Sequence, residues 1–235
     1  MSEHVRTMFA SIAPTYDMAN TTLSFGIHHW WRNELLRHSG LKELAQTRTD
    51  IAVLDCATGT GDVAITFAKF LGKRGTVIGT DFCAEMMTTA PKKSRTAGVH
   101  VRYEVADVMD LPYNNDMFDC ATIAFGIRNV DVPVRALQEM ARVVRSGGRV
   151  VVLEFGQPKG MFGAVYRLYS NTIIPMIGGL LTGNRGAYSY LNRTAAAFPS
   201  DEAFLRLMHE AAVFSSVEAV PLTFGVVYVY VGVVK

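Results

Sequence analysis

Residues 51–62, with the sequence IAVLDCATGTGD, constrain the fold more than any other stretch of this chain. The apolar run that ends at Asp55 is typical of a short buried strand. Small residues follow, as a sharp turn requires, and a helix is predicted over Asp62–Leu71. Gly59 and Gly61 would let a ligand approach the backbone closely, and the new helix presents free N–H groups there. The stretch therefore predicts a cradle for a nucleotide-containing ligand.

Two cofactor classes compete for this cradle. The turn fits the dinucleotide fingerprint G-x-G-x-x-A, and Asp81 follows where a ribose-binding acid would lie. However, Asp62 at the helix N-terminus and Asp55 at the strand end would repel the two phosphates of a dinucleotide. S-adenosylmethionine carries an ammonium and a sulfonium and no phosphate, so an acidic rim favours it. Acids that merely cap the helix would give the same pattern without any cofactor.

Length and charge limit the architecture and the partners. The chain of 235 residues is long enough for one large α/β domain over residues 1–235, and a second full domain is not expected. The net charge is only +2, so a broad basic face for nucleic acid is not expected. The short basic run of Lys92, Lys93 and Arg95 is interpreted as a solvated helix surface.

Cysteine and histidine usage indicates an intracellular protein without a metal site. Cys56, Cys83 and Cys120 form no C-x-x-C pair and fall in or beside predicted strands and turns, which favours buried, reduced thiols. The six histidines show no ligand spacing. The N-terminus has no apolar signal core, and no segment reaches the ~18 apolar residues of a membrane span. We therefore expect a cytoplasmic protein.

From residue 51 onwards, predicted strands and helices alternate. Strands are predicted at residues 53–55, 76–80, 100–105, 118–124 and 149–155, and helices at 62–71, 84–97 and 132–144. Repeated strand-helix units imply an α/β fold with a doubly wound, mostly parallel sheet and helices on both faces. The chain then ends with a helix at 201–212 and strand patterns at 217–220 and 224–234. The short connection through Pro221 predicts an antiparallel C-terminal pair at the sheet edge.

Three acids fall at successive strand ends, namely Asp55, Asp81 and Asp107. Because the carboxyl ends of parallel strands meet at one edge of the sheet, we expect them to converge on one crevice. Asp81 would accept hydrogen bonds from both ribose hydroxyls. Asp107 is placed to accept from an adenine amino group, and the backbone N–H of Val108 could reach a ring nitrogen. Polar loops alone would explain any one of these acids.

Two regions outside the alternation are helical in pattern. Residues 1–45 predict a helical cap, which either packs on the main domain or forms a lid over the ligand. Residues 156–199 form an apolar helical insertion that is larger than a connecting loop needs. This insertion is either an ordinary helical hairpin or the lining of a groove for a greasy substrate that touches a membrane surface. The sequence leaves both choices open.

Together these stretches resemble the ubiquinone and menaquinone biosynthesis C-methyltransferases, which are class I enzymes that use S-adenosylmethionine. The resemblance rests on motifs along nearly the whole chain: Tyr16-Asp17-x-x-Asn20, Ser24-x-Gly26-x-His28-x-x-Trp31-Arg32, Leu54-Asp55-x-x-x-Gly59-Thr60-Gly61-Asp62, Gly79-x-Asp81-Phe82, Asp107-x-x-x-Leu111-Pro112, Phe125-Gly126-x-Arg128-Asn129-Val130 and Leu153-Glu154-Phe155. It implies cofactor contacts at Thr60, Asp81, Asp107 and Val108. It also implies methyl transfer to a ring carbon of a polyprenylated quinol.

The implied chemistry suggests catalytic roles for four residues. Arg128 could stabilise the phenolate form of the quinol as a fixed cation, and Asn129 could orient the ring oxygen. Tyr16 or His28 could pass the phenol proton through water, a step for which base assistance typically contributes ~100-fold to 10,000-fold. Arg128 could instead simply pair with a nearby acid, and Tyr16 could be a core residue.

Other functions stay open at this level. An NAD-dependent oxidoreductase could use the same sheet, and a catalytically silent subunit could scaffold a quinone-synthesis complex. A polyprenyl tail would explain the high mean hydropathy of +0.18 and leads us to expect peripheral contact with the cytoplasmic face of a membrane. The sequence leaves a homodimer open, and it does not separate a naphthoquinol from a benzoquinol acceptor.

Overall fold

The computed structural model describes residues 3–13, 16–182 and 185–235. Within these ranges one sheet contains seven strands: β1 Ile51–Cys56, β2 Gly75–Asp81, β3 Arg102–Val105, β4 Phe118–Ala124, β5 Val144–Phe155, β6 Phe214–Leu222 and β7 Val227–Val234. Their order is β3-β2-β1-β4-β5-β7-β6. Neighbours from β3 to β5 are parallel, and β7 is antiparallel to both β5 and β6. The predicted sheet with an antiparallel C-terminal pair at its edge is confirmed, with β6 outermost.

Helices precede, connect and follow the strands. They are α1 Glu3–Ile12, α2 Tyr16–Leu23, α3 His28–His38, α4 Leu41–Leu44, α5 Asp62–Leu71, α6 Ala90–Thr96, α7 Pro133–Val143, α8 Gly160–Thr182, α9 Arg185–Ala197 and α10 Glu202–Glu210. Pro14, which was expected to close the first helix, lies outside the described residues. In the part of the chain described here, no helix combines the length and the apolar character needed to cross a membrane.

The core lies on both faces of the sheet. Alternate residues of a strand point to opposite faces, and Leu54 of β1 joins a different apolar cluster from Val53. The first cluster includes Leu137 of α7, and the second includes Phe67 of α5. Strands covered on both sides need continuous apolar runs, which is why β1 and β4 contain few polar residues. Cys56 and Cys120 are buried in these strands, as expected.

The prediction of one continuous helix over residues 84–97 is wrong. Residues Ala84–Met87 form one 3₁₀ turn, and α6 begins afresh at Ala90. Pro91 lies in the first turn of α6, where its missing N–H needs no partner. A helix tolerates proline in its first turn but not in its middle. The predicted helix is therefore interrupted before Pro91, and α6 is a separate helix.

The C-terminal pair also differs from its predicted boundaries. Strand β6 continues through Pro221 to Leu222, and the connection is the turn Thr223–Gly225. Proline is tolerated in β6 because an edge strand needs fewer ladder hydrogen bonds. Phe224, which the pattern predicts in the last strand, therefore lies in the turn.

Strand order reverses between β1 and β4, since β2 and β3 lie on one side of β1 and β5 lies beyond β4. Ligands of such sheets bind at the carboxyl ends of the strands beside this reversal. The fold thus places the turn after β1 and the residues after β4 at one crevice.

Candidate active site

A cavity of about 770 Å³ lies at the carboxyl ends of β1 and β4. Its wall includes Gly59 and its neighbours from the turn after β1, and Phe125 from the turn after β4. Trp31 of α3 and Tyr166 of α8 close two further sides. We call the part of the wall that contains Thr60 and Asp62 the polar end, and the part that contains Phe162 and Tyr166 of α8 the apolar end.

The two glycines of the turn have different functions. Gly59 has a φ of +53° and lines the cavity, where an added Cβ would meet only the end of Met86 at 3.7 Å. Gly61 has a φ of +85°, and an added Cβ would collide with the hydroxyl of Tyr103. Both need a left-handed backbone. Gly59 exposes backbone to the cavity, whereas Gly61 is required by packing inside the protein.

Asp55 braces this turn from below. Its carboxylate accepts hydrogen bonds from Thr58 Oγ1 at 2.6 Å, Thr122 Oγ1 at 2.8 Å and the backbone N of Ala64 at 3.2 Å. Burial raises the pKa of Asp55 to about 6, although these hydrogen bonds favour the charged form. Asp55 contributes to the cavity wall, and its contacts connect the turn, α5 and β4.

The other predicted acids lie along the same edge of the sheet. Asp81 is buried, and its carboxylate accepts the N–H of Gly59 at 2.9 Å and of Cys83 at 2.8 Å. Burial raises the pKa of Asp81 against these hydrogen bonds. Asp107 accepts the N–H of Met109 at 2.9 Å. As far as the described residues define the wall, neither of these acids nor Val108 forms part of it; their contacts with adenosine stay predictions.

The acidic rim expected at Asp62 is wrong, because two cations balance this carboxylate. Arg32 lies 2.8 Å and Lys93 2.6 Å from its oxygens. Burial alone would raise the pKa of Asp62, but Arg32 and Lys93 hold it below its usual value. Lys93 also pairs with Asp17 at 2.6 Å, and Thr60 Oγ1 donates to Asp17 at 2.6 Å. Lys93 is therefore no solvated surface residue, and repulsion from Asp62 does not exclude phosphates.

Arg128 lines the cavity and pairs with Glu154. The exposed side-chain fractions are 4% and 1%, and Arg128 Nη1 donates to Glu154 Oε1 at 2.6 Å and to the carbonyl oxygen of Phe125 at 2.7 Å. Arg128 Nε and Glu154 Oε2 are buried without a hydrogen-bond partner among the described residues. Sequence reasoning missed Glu154 as part of the site. The available signal was a charged residue at the end of the apolar run of β5.

Of the remaining predicted catalytic residues, His28 lines the cavity, and Asn129 is not among the described lining residues. Asn129 is buried, and within the described chain it lies outside the cavity wall with its Oδ1 unpaired. His28 lines the cavity, and its Nδ1 lies 2.6 Å from Ser24 Oγ. Burial, with help from Arg32, lowers the pKa of His28 to about 4. The side chain of Tyr16 lies outside the described residues.

Aromatic rings form a wall of the cavity beside Arg128. Phe125 and Phe155 have ring centroids 4.6 Å apart, and Trp31 lies 6.0 Å from Phe125. The indole N–H of Trp31 donates to Thr223 Oγ1 at 2.9 Å. Aromatic pairs at these separations attract each other beyond the burial of their surface. The arrangement forms a wall suited to a flat ring.

Helix α8 forms the roof of the apolar end. Phe162, Tyr166 and Tyr169 of this helix line the cavity. The hydroxyl of Tyr169 donates to the carbonyl oxygen of Leu23 at 3.0 Å, which connects α8 to the end of α2. Burial raises the pKa of Tyr166 to about 12, so its hydroxyl stays neutral. The insertion and the N-terminal helices thus meet over the cavity.

The cavity is also bordered by strained backbone. Among its described lining residues, a left-handed φ outside glycine occurs at Phe25, Ala57, Phe125 and Thr223. Each such residue costs of order 1 kcal/mol, and strain of this kind is concentrated at ligand sites.

Solved structures identify the class of protein that this fold and cavity define. A methyltransferase of Thermotoga maritima, described as dependent on S-adenosylmethionine and as a possible histamine N-methyltransferase, aligns over 99% of this chain and 100% of its own with a TM-score of 0.62 and 20% identity. A putative S-adenosyl-L-methionine-dependent methyltransferase of Methanococcus maripaludis covers 95% of this chain and 92% of its own, with a TM-score of 0.62 and 20% identity. The fold is that of class I methyltransferases.

Sequence relatives then give the family. The model of the ubiE/COQ5 methyltransferase family matches residues 1–234. The ubiquinone/menaquinone biosynthesis C-methyltransferase UbiE of Bdellovibrio bacteriovorus is 52% identical over 99% of this chain and 97% of its own length. The demethylmenaquinone methyltransferase of Thermus thermophilus is 45% identical over 96% and 99%. The chain belongs to the ubiE/COQ5 methyltransferase family; it is a C-methyltransferase, and S-adenosylmethionine is its cofactor.

Proposed function

We propose that this protein transfers the methyl group of S-adenosylmethionine to a ring carbon of a polyprenylated quinol. The acceptor would be demethylmenaquinol, which gives menaquinol, or 2-methoxy-6-polyprenyl-1,4-benzoquinol on the ubiquinone route, or both. The observation that carries the proposal is one cavity whose wall contains the glycine turn, charged groups and a set of aromatic and apolar side chains. The names of the relatives support this acceptor class. They do not support the oxidoreductase or the silent subunit.

The residues after β1 fit the cofactor. When bound, it supplies an electrophilic methyl group on a sulfonium. Gly59 presents its backbone to the cavity without a side chain, and Asp81 lies directly behind it. We assign Asp81 to the ribose hydroxyls, Asp107 with Val108 to the adenine, and Thr60 to a further contact. Gly61 and Asp55 support the turn from within the protein.

Arg128 is the residue we assign to the acceptor oxygen. A quinol carbon becomes a better nucleophile when its neighbouring hydroxyl loses a proton, and a fixed cation in a dry site stabilises the resulting oxyanion. Glu154 fixes one end of the guanidinium, and the ring of Phe155 lies 5.3 Å from Cζ. His28 would be neutral at neutral pH, which suits a hydrogen-bonding or relay role better than that of a strong base. Tyr16 and Asn129 keep their proposed roles as relay and orienting residues.

The proposal treats residues 1–235 as one catalytic domain. The helical cap and the apolar insertion both contribute to the cavity wall, as His28 and Tyr166 illustrate. We further propose peripheral contact at the cytoplasmic face of a membrane, supported by exposed apolar residues of α8 such as Met161 and Leu168.

The decisive experiment supplies methyl-labelled S-adenosylmethionine and reduced naphthoquinol and benzoquinol acceptors to the purified protein. A product heavier by one methyl group on the ring carbon is expected from at least one acceptor. Binding of the cofactor is measured separately by calorimetry, and Asp81→Ala is expected to abolish it. Cofactor binding without transfer to either quinol would contradict the proposed acceptor class.

A further inference from the structure

Two exposed phenylalanines lie at or beside the apolar end of the cavity. Phe25 and Phe224 are 84% and 83% exposed, and their φ values are +50° and +55°. Neither side chain gains the burial that normally stabilises a phenylalanine, and both backbones occupy a region that favours glycine. Folding stability therefore does not explain these residues. A strained position with an exposed aromatic ring beside a cavity is typical of a ligand contact.

A third phenylalanine connects this pair to the cavity. Phe162 of α8 lines the cavity, and its ring centroid lies 5.3 Å from that of Phe224. Phe25 lines the same cavity from the loop between α2 and α3. Thr223, the neighbour of Phe224, also lines the wall and accepts the hydrogen bond from Trp31. We call Phe25, Phe162 and Phe224 the aromatic rim; it is continuous with the wall that contains Phe125 and Phe155.

The position of the rim determines what it would hold. The ring of the acceptor must reach Arg128, whose side chain is only 4% exposed and lies against Phe155. The rings of the rim are largely exposed, so a long substituent that leaves the protein from there would pass the rim. A chain of isoprene units has no hydrogen-bonding groups, and the rings of the rim present apolar surface without a buried polar group to satisfy. The rim therefore matches the part of the acceptor nearest its ring, before the tail leaves the protein.

We propose that the aromatic rim binds the first isoprene units of the acceptor and thereby makes the enzyme select tailed over tailless quinols. This inference rests on the proposed function and adds to it the residues that recognise the tail. The occupant of the rim is the prenyl tail of the substrate and not the acyl chain of a lipid.

The test compares two quinols that differ only in the presence of a prenyl tail. Both are assayed in the same detergent micelles without a bilayer, so membrane attachment does not contribute. The measured quantity is the ratio of kcat/KM for the tailed acceptor to kcat/KM for the tailless acceptor. In the wild type this ratio should exceed about ten, and Phe224→Gly and Phe162→Ala should each lower it about tenfold, the usual effect of losing an apolar contact in a substrate pocket.

Two controls separate tail recognition from folding. Phe224→Gly removes the ring and also relieves the left-handed backbone, so its thermal stability should not fall. Val105→Ala truncates an exposed apolar residue of the edge strand β3 that is not among the described lining residues, and it should leave the ratio as it is. A wild-type ratio near one would overturn the inference about the rim and leave the proposed function standing. Rim variants that lower kcat/KM equally for both acceptors would do the same. Failure of the wild type to methylate any quinol would instead contradict the proposed function.

Discussion

Asp55 shows how one buried carboxylate supports a ligand turn. It receives three hydrogen bonds from the protein and is almost fully removed from water. Burial raises the pKa of Asp55 more than the hydrogen bonds lower it, so the pKa rises from 3.8 to about 6. The folded protein consequently binds a proton at Asp55 more tightly than the unfolded chain does.

This difference predicts a pH dependence of stability. The stabilising effect of protonated Asp55 is present below the unfolded pKa of 3.8 and is lost as pH rises through about 6. A shift of this size corresponds to about 3 kcal/mol. Urea denaturation would measure the unfolding free energy of the wild type and of Asp55→Asn at each pH. The wild-type value minus the Asp55→Asn value should fall as pH rises from 3.8 to about 6 and stay constant above that.

The comparison with Asp55→Asn is needed because His28 acts in the opposite direction. Its pKa falls from 6.5 to about 4 on folding, so its contribution to stability is lost as pH falls through that range. The contribution of His28 cancels in the difference between the two proteins. A difference that does not change with pH would contradict the raised pKa of Asp55.

The Arg128–Glu154 pair gives a second prediction at the residue scale. Arg128→Ala leaves a buried carboxylate without a counter-charge, which typically costs about 3–5 kcal/mol. Adding Glu154→Ala should restore part of the unfolding free energy, measured by chemical denaturation, without restoring methyl transfer. Recovery of turnover in the double variant would show that Arg128 acts on stability and not on the acceptor.

At the scale of elements, a charged network fastens α2 to the cofactor turn. Lys93 of α6 bridges Asp17 of α2 and Asp62 of α5, and Thr60 bonds the same Asp17. Arg32 of α3 completes the network on the other side of Asp62. Four helices thus converge through side chains at the polar end of the cavity.

Removal of Lys93 should loosen this junction. Lys93→Met is expected to raise amide hydrogen exchange in α2 up to about fivefold, because partly exposed ion pairs contribute no more than about 1 kcal/mol. Lys92→Met, at the exposed neighbouring position, is the matched control and should leave exchange unchanged. Equal exchange in both variants would show that other contacts hold α2 in place.

At the scale of the whole molecule, α8 has two apolar faces. Its inner face lines the cavity through Tyr166, and its outer face exposes Met161, Val165 and Leu168. Exposed apolar residues on one helix face are typical of an interaction surface. Arg167 of the same helix is exposed, and Lys159 immediately before the helix pairs with Asp201 at 3.1 Å.

The exposed apolar face of α8 predicts that substitutions on it weaken membrane binding. The double variant Val165→Glu with Leu168→Glu should lose most of its binding to anionic liposomes in a flotation assay, because each glutamate adds repulsion and removes apolar contact. Val105→Glu, in the edge strand β3, should float like the wild type. Wild-type protein that stays entirely in the soluble fraction, with and without quinol, would rule out direct membrane contact.

Sequence alone determined the sheet class, the glycine turn and the family resemblance, because each depends on patterns within short stretches. Strand and helix periods are local, and a left-handed turn needs glycine wherever it occurs. Most element boundaries agreed within three residues, but β5 begins at Val144, five residues before its predicted start at residue 149. The exceptions at Pro91 and Pro221 arose because proline is acceptable at a helix start or an edge strand, and sequence does not show which position applies.

Only the tertiary structure decided which charges meet. Arg32 and Lys93 neutralise Asp62 from two different helices, and Glu154 pairs with Arg128 across 26 residues of sequence. The charge argument for the cofactor therefore failed at Asp62 even though the cofactor itself was correct. Such pairs follow from how helices pack on the sheet, and no local pattern encodes that packing. The apolar insertion could be predicted from its composition. Its position over the cavity depends on packing between distant segments, so only the tertiary structure shows it.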